Sequence, residues 1–148
     1  MYQRIFVPVD NSAQSNQALD EAVKIAKAMN STLILALCVD LPHYGAGNPE
    51  HMDSFVMEHP LMDEGKEMLQ ASCDRAREAG IEPESELLAN HGHKTSKILL
   101  ECAKANEADV IVMGTHGHTF LGQALMGSVA EGILQAAEIP VIMIRSQA

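Results

Sequence analysis

Hydrophobic residues along this chain occur in two patterns, short continuous runs and longer stretches with helical spacing. Continuous apolar runs are typical of strands buried on both faces of a sheet, and they occur at residues 4–10, 32–39, 109–114 and 140–145. Apolar residues spaced three or four positions apart are typical of amphipathic helices. Helical spacing, together with turn and cap residues, predicts a first helix after the turn at residues 10–12, with its apolar stripe from Ala18 to Met29, and further helices at residues 61–79, 94–106 and 128–137.

The order of these segments predicts the fold class. A weaker, more charged run at residues 84–89 adds a strand that is expected at the edge of the sheet. Alternating strands and helices predict one α/β domain over residues 1–148, with a parallel sheet, helices on both faces and right-handed crossovers. Residues 41–60 have no clean period and are predicted to form a long loop.

The parallel sheet also predicts where a ligand would bind. In open α/β sheets, ligands bind beyond the carboxyl ends of the strands, at the point where the strand order reverses. The turns after Asp10 and after Gly114 each follow a predicted strand. Both turns are therefore candidate binding segments.

Composition places the chain among soluble globular proteins, because 47% of its residues are hydrophobic. No apolar run approaches the ~20 residues that a membrane span needs, so no membrane association is expected. The N-terminal residues lead directly into a strand without the parts of a secretory signal, which predicts a cytoplasmic protein. The three cysteines, Cys38, Cys73 and Cys102, have no paired spacing, so reduced thiols are expected.

Charge is distributed unevenly along the chain, whose formal net charge is −10. Residues 40–90 carry twelve acidic residues and three basic ones. This balance opposes binding to nucleic acid, because neutralising phosphates requires clustered lysine or arginine. Residues 114–130 contain no Asp, Glu, Lys or Arg. An anion bound by that segment would be held by backbone N–H groups rather than by salt bridges.

The uncharged segment is rich in glycine and precedes a predicted helix. Gly114, Gly117 and Gly127 allow the backbone to approach a ligand closely, and the helix that Ser128 opens would attract a phosphate to its N-terminus. The segment contains neither Gly-Lys-Ser/Thr nor Gly-x-Gly-x-x-Gly. Ser128 and Glu131 also fit a capping box, and glycines also occur in ordinary tight turns. The residues alone leave a phosphate site and a plain turn equally open.

The spacing Gly-x2-Gly-x9-Gly-Ser at residues 114–128 resembles the ATP-binding motif of the universal stress protein family. The resemblance extends to the strand that ends in Val7-Pro8-Val9-Asp10, to the strand that ends in Cys38-Val39-Asp40, and to the closing apolar strand. It implies a five-stranded parallel sheet of order 3-2-1-4-5 with helices on both faces. This fold is Rossmann-like and similar to that of the adenine nucleotide alpha hydrolases.

The resemblance further implies an adenine nucleotide site and assigns residues to it. Those implied to contact adenine and ribose are Pro8, Val9, Asp10, Val39 and Met113. Those implied to line the phosphates are Gly114, Gly117, Gly127, Ser128 and Val129. A carboxylate such as Asp10 can accept hydrogen bonds from ribose hydroxyls, although Asp10 also fits the N-cap of the first helix.

Two positions depart from the family pattern. Many ATP-binding members have Arg or Lys directly after the second glycine, where this chain has His118, and Ser or Thr where it has Ala130. Both changes remove phosphate ligands, although His118 can still donate a hydrogen bond to a phosphate. The expected cofactor is ATP, or ADP or AMP, with any Mg²⁺ carried in by the nucleotide.

Metal and catalytic sites are not predicted. His91-Gly92-His93 and His116-Gly117-His118 resemble metal patterns, but no cysteine completes a four-ligand site, which favours exposed loop histidines. No Gly-x-Ser-x-Gly elbow occurs, and the glycine-rich segment has no carboxylate to serve as a general base, so no catalytic residue is assigned.

The sequence therefore favours an ATP-binding universal stress protein that acts as a nucleotide-dependent sensor or regulator in the stress response, through protein partners. The resemblance implies a homodimer in which Val141–Ile144 pairs antiparallel with its copy. One alternative is an interaction protein of the same fold that needs no nucleotide. Another is a slow ATPase.

Overall fold

The computed structural model describes residues 1–41, 59–115 and 126–145. Most of the predicted loop at 41–60 lies outside these ranges, as do Gly117 and His118. The elements, in chain order, are β1 (Arg4–Pro8), α1 (Ala13–Met29), β2 (Thr32–Val39), α2 (Pro60–Glu78), β3 (Glu84–Ala89), α3 (Thr95–Ala105), β4 (Val110–Gly114), α4 (Ser128–Ala136) and β5 (Val141–Ile144). None of the helices in the described ranges is long and apolar enough to cross a membrane.

The five strands form one parallel sheet in the order β3-β2-β1-β4-β5, which confirms the predicted topology. The first strand lies at the centre, with Phe6 of β1 in register with Ile34 of β2 and Ile111 of β4. The chain leaves β1 toward one edge of the sheet and returns to its other side at β4. This reversal lies between β1 and β4, where a ligand site is expected.

Each face of the sheet carries its own hydrophobic core. Ile5 and Val7 of β1 face the core that α1 and α2 cover, which includes Leu19 and Leu69. Phe6, between them, faces the core that α3 and α4 cover. Because successive strand residues point to opposite faces, a strand covered on both sides needs a continuous apolar run. The helices therefore cover both faces, as predicted.

The ends of the first two helices are set by local chemistry. Ser12 is the N-cap of α1, and its side chain accepts a hydrogen bond from Ser15 N at 3.1 Å. Asn30 ends α1 in the left-handed conformation, with φ 55°. Pro60 begins α2 at a position where its missing N–H costs nothing, and Gly80 follows that helix with φ +98°.

The two edge strands differ in character. Glu84, Ser85 and Glu86 of β3 are exposed, which confirms the predicted charged edge. All four residues of β5 are half-buried in the described chain. The edge at β5 is therefore short and apolar.

Candidate functional site

A cavity of about 320 Å³ opens at the carboxyl ends of β1, β2 and β4. Its walls also include the first turns of α3 and α4, through Thr95 and Ser128. The cavity lies at the reversal of strand order, where open α/β sheets bind their ligands. Both turns that the sequence singled out, after Asp10 and after Gly114, border it.

Eight of the eleven residues proposed from the sequence line this cavity: Pro8, Val9, Asp10, Met113, Gly114, Gly127, Ser128 and Val129. Gly117 and His118 lie outside the described residues. Val39 does not line the cavity, because its side chain, 7% exposed, packs in the core beneath α1 and α2. Adjacent residues of a strand face opposite sides, and it is Cys38 and Asp40 that border the cavity instead.

Several lining residues were not assigned to the site from the sequence: Ser15, Cys38, Asp40, Thr95, Leu99 and Thr115. Ala130, the position where many relatives have Ser or Thr, also lines the cavity. Asp40 follows β2 directly, and its position at the carboxyl end of a strand could have indicated that it borders a ligand site. Thr95 opens the helix after β3 and offered no signal of its own. Its position in the cavity depends on the pairing of β3 beside β2.

Asp10 is held at the cavity by the turn that precedes α1. Its Oδ1 accepts a hydrogen bond from Ser12 N at 2.9 Å, and its own N–H donates to Ser15 Oγ at 3.1 Å. Asn11, between them, has φ 62°, a conformation that Asn tolerates better than most residues. The N-cap of α1 is Ser12, so the alternative that assigned the cap to Asp10 is wrong. The Asp10 carboxylate instead braces the turn.

The N-terminus of α4 also faces the cavity. Its N-cap is Gly127, and no side chain from the described residues caps it. The capping box predicted for Ser128 and Glu131 is wrong, because Ser128 is already the first helical residue and Glu131 N donates to Gly127 O at 2.9 Å. Gly127 is itself anchored, since its N–H donates to Thr115 O at 2.9 Å.

The missing cap leaves polar groups available at this helix end. The N–H groups of Ser128, Val129 and Ala130 have no backbone partner within the described part of the chain. Together with the positive end of the helix dipole, free N–H groups attract an anion. One explanation that competed with a phosphate site, a capping box of Ser128 and Glu131, is thereby removed, while an ordinary glycine turn stays open.

A buried asparagine organises the other side of the cavity. Asn90 is 4% exposed, and its Nδ2 donates to Asp40 Oδ1 at 2.8 Å and to Thr95 Oγ1 at 3.2 Å. Its Oδ1 accepts from Leu41 N at 3.0 Å and from Gly92 N at 3.4 Å. One amide thus ties the segment after β2 to the segment after β3 and fixes two lining residues. Nothing in the sequence marked Asn90 for this role.

The Cys38 thiol, which borders the cavity, is a poor nucleophile at neutral pH. Burial raises the pKa of Cys38 to about 11, with a smaller contribution from the Asp40 carboxylate. Burial, reinforced by the neighbouring Glu86 carboxylate, raises the pKa of Cys102 to about 12. Both thiols are protonated at neutral pH, and the thiolate is the nucleophilic form of cysteine. Cys38 therefore contributes an apolar surface to the cavity.

None of the described residues that line the cavity is a histidine. His93 is exposed, and His91 is half-buried in the turn after β3 with φ 49°. Among the residues that the structure describes, no group of three or more His, Cys, Asp or Glu side chains could hold a metal ion. The second histidine pair, at 116 and 118, falls outside the described ranges.

Similarity to known proteins agrees with this fold and this site. The chain matches the model of the universal stress protein family over residues 1–145. Universal stress protein MJ0531 of Methanocaldococcus jannaschii is 33% identical over 145 residues, which cover 98% of this chain and 83% of that protein.

Two similar solved structures are complexes with nucleotides. A universal stress protein in complex with cAMP shares 26% identity at a TM-score of 0.72, covering 99% of each chain. The universal stress protein of Archaeoglobus fulgidus in complex with dAMP shares 26% identity at a TM-score of 0.68, covering 97% of this chain and 98% of that one. With a family match that spans nearly its whole length, a relative above 30% identity and the expected sheet order, this chain belongs to the universal stress protein family.

Proposed function

We propose that this protein binds an adenine nucleotide in the cavity at the ends of β1 and β4. The observation that carries the proposal is the uncapped N-terminus of α4, which shares one cavity with the Asp10 carboxylate. A volume of about 320 Å³ falls within the range of small-molecule sites, which is about 300–1,000 Å³. The cAMP and dAMP complexes of the two similar proteins support adenine as the base.

The residues present suit the three parts of such a ligand. Pro8, Leu99 and Met113 offer apolar surface to a base, and Asp10 can accept hydrogen bonds from ribose hydroxyls. The free N–H groups of α4 suit a phosphate. Gly117 and His118 are still proposed to contact the phosphates, but only the family motif supports them. Val39 is still proposed to contact adenine or ribose, and its support is likewise only the family resemblance. ATP, ADP and AMP all fit this description, with Mg²⁺ arriving on the nucleotide.

We infer that the bound nucleotide acts as a signal, so that the protein serves as a sensor or regulator through protein partners. The groups around the cavity support reversible binding. Asp10 Oδ1 and Asp40 Oδ1 each accept a hydrogen bond from a fixed group of the fold, and the Cys38 thiol is protonated at neutral pH.

The alternatives are a slow ATPase and a nucleotide-independent interaction protein. Adenine nucleotide released from the purified, denatured protein would exclude the latter, and turnover by the wild type would favour the ATPase.

Replacing Asp10 with alanine is expected to weaken AMP binding by about ten- to a hundredfold, since a charged hydrogen bond contributes about 1.5–3 kcal/mol. The same substitution should leave binding of 2′,3′-dideoxy-AMP within about twofold, because that ligand lacks both ribose hydroxyls. Titration calorimetry measures both affinities. Asp10→Asn keeps an acceptor for Ser12 N, which separates loss of the charge from loss of the turn. Equal losses for AMP and its dideoxy analogue would overturn the assigned role of Asp10.

We also propose that the protein is a homodimer joined through β5. In the described sheet β5 is an edge strand, and Ile111 N donates to Pro140 O while Thr115 N donates to Ile144 O. In a parallel ladder the backbone groups alternate between the two sides of a strand, so the N–H groups of Val141 and Met143 point away from β4. An antiparallel copy of β5 could accept them, and pairing would cover this apolar edge.

The dimer is tested at Met143. Light scattering should give twice the mass of one chain for the wild type and for Met143→Ala. Met143→Pro removes the outward N–H while sparing the bonds to β4, and it should be monomeric with far-UV circular dichroism like that of the alanine variant. A monomeric wild type, or a folded dimer of Met143→Pro, would refute pairing through β5.

A further inference from the structure

The proposed nucleotide cavity is electrostatically asymmetric. The positive N-terminus of α4 lies on one side, and Asp40, which follows β2, lines the other. None of the described residues that line the cavity is Lys or Arg, so no cation there neutralises Asp40. A carboxylate repels a phosphate and accepts hydrogen bonds, which favours an uncharged group with N–H donors beside it. The two sides of the cavity therefore prefer opposite ends of a nucleotide.

The strand order places the polar groups of the cavity in a line. In the sheet β2, β1 and β4 are neighbours, and Asp40 and Asp10 follow β2 and β1. The N-terminus of α4 is tied to the end of β4 by the bond from Gly127 N to Thr115 O. Adjacent strands lie about 4.8 Å apart, so β2 and β4 are about 10 Å apart. With phosphate at α4 and ribose at Asp10, the base lies at the end of β2.

The Asp40 carboxylate is held in place by a buried amide. Asn90, 4% exposed, donates from Nδ2 to Asp40 Oδ1 at 2.8 Å. The same asparagine is bonded to the backbone on both sides of Asp40, since its N–H donates to Val39 O and its Oδ1 accepts from Leu41 N, each at 3.0 Å. The second carboxylate oxygen, Asp40 Oδ2, accepts no hydrogen bond from the described residues. Asp40 thus presents a fixed acceptor to the cavity, and a preorganised group loses little freedom when it binds a ligand.

We propose that Asp40 determines the base specificity of this protein by accepting a hydrogen bond from the 6-amino group of adenine through Oδ2. The inference rests on the proposed adenine nucleotide site and names the residue that reads its base. Hypoxanthine has a carbonyl oxygen in place of the amino group, and a carboxylate repels that oxygen. AMP, which has the same ribose and phosphate as IMP, should therefore bind about ten- to a hundredfold more tightly than IMP.

Substitution of Asp40 tests this assignment. Asp40→Asn keeps Oδ1 as the acceptor for Asn90 Nδ2 and replaces Oδ2 with an amide N–H group, which can donate to the 6-oxygen of IMP. The variant should therefore bind AMP and IMP with affinities within about threefold of each other. Purine riboside 5′-monophosphate has neither group at position 6, so the substitution should change its affinity less than about threefold. Titration calorimetry at fixed ionic strength measures all three ligands on the wild type and the variant.

A matched control and the wild type separate this inference from the proposed function. Asp63→Asn makes the same charge change at an exposed residue on the first turn of α2, outside the cavity, and should keep the full preference for AMP. If neither AMP nor IMP binds the wild type, the proposed function itself fails. If the wild type binds both equally, or if Asp40→Asn keeps the preference for AMP, the nucleotide site stands and the role of Asp40 is refuted. Loss of the preference in Asp63→Asn would attribute it to general surface charge and would also refute that role.

Discussion

Replacing Asn90 with alanine is expected to lower the free energy of unfolding by about 2–4 kcal/mol, because buried backbone groups lose their partners. The substitution leaves Leu41 N without its 3.0 Å acceptor and releases Asp40 and Thr95 from the amide that holds them. Nucleotide affinity should fall as well, since Asp40 and Thr95 border the cavity. Urea denaturation and calorimetry measure the two effects. Asn106→Ala is the control: this half-buried amide donates to Cys102 O at 2.9 Å and to the exposed Glu86 Oε1 at 3.3 Å but accepts no buried backbone N–H in the described chain, so its loss should cost about 1 kcal/mol.

The variant Asn90→Asp adds a test with a defined pH dependence. It keeps an acceptor for Leu41 N but removes both donors and places a carboxylate against Asp40. Burial and the neighbouring charge raise the pKa of the new carboxyl above its unfolded value, which is about 3.9. The protonated form is then favoured in the folded state, so the variant should be least stable at neutral pH and should gain stability as the pH falls through the raised pKa. Stability that is independent of pH between 7.5 and 5 would contradict this arrangement.

Replacing Phe6 with alanine is expected to cost about 3–5 kcal/mol of unfolding free energy, the usual range for emptying a buried aromatic site. Phe6 is fully buried on the central strand, in the core that lies beneath α3 and α4 and includes Met113. Phe6→Leu is the matched control and should cost about 1–2 kcal/mol, since it retains most of the apolar volume. Chemical denaturation measures both variants. Similar costs for alanine and leucine would show that the core collapses around the lost ring.

The sequence predicted the secondary structure well because each face of the sheet is covered. A strand buried on both sides must be apolar throughout, so β2 and β4 appear as continuous runs. The ends of the described elements fall within two residues of the prediction, and α1 begins directly after the predicted turn at residues 10–12. That helix begins at Ala13, five residues before its apolar stripe, because its first turn is polar and is fixed by the Ser12 cap.

The candidate site was harder to predict because its parts come from distant segments. The motif located the α4 N-terminus, but Ser-x-x-Glu is equally compatible with Ser128 as a cap or as the first helical residue. The bond from Glu131 N to Gly127 O and the extended backbone of Gly127 show where the helix begins. The register that pairs Val39 with Ala89 brings Asn90 to Asp40 across 50 residues of chain. No local pattern encodes such a contact.

The central position of β1 has a consequence for how the protein is made. Arg4 N is bonded to Asp109 Oδ1, 105 residues later, and β1 pairs on that side only with β4. On the ribosome, β1 can pair with β2 early, but its other edge stays open until β4 emerges. Contacts between such distant segments form slowly, and an open edge can pair with other chains. The nascent chain is therefore expected to complete its sheet only once β4, in the last third of the protein, has been synthesised.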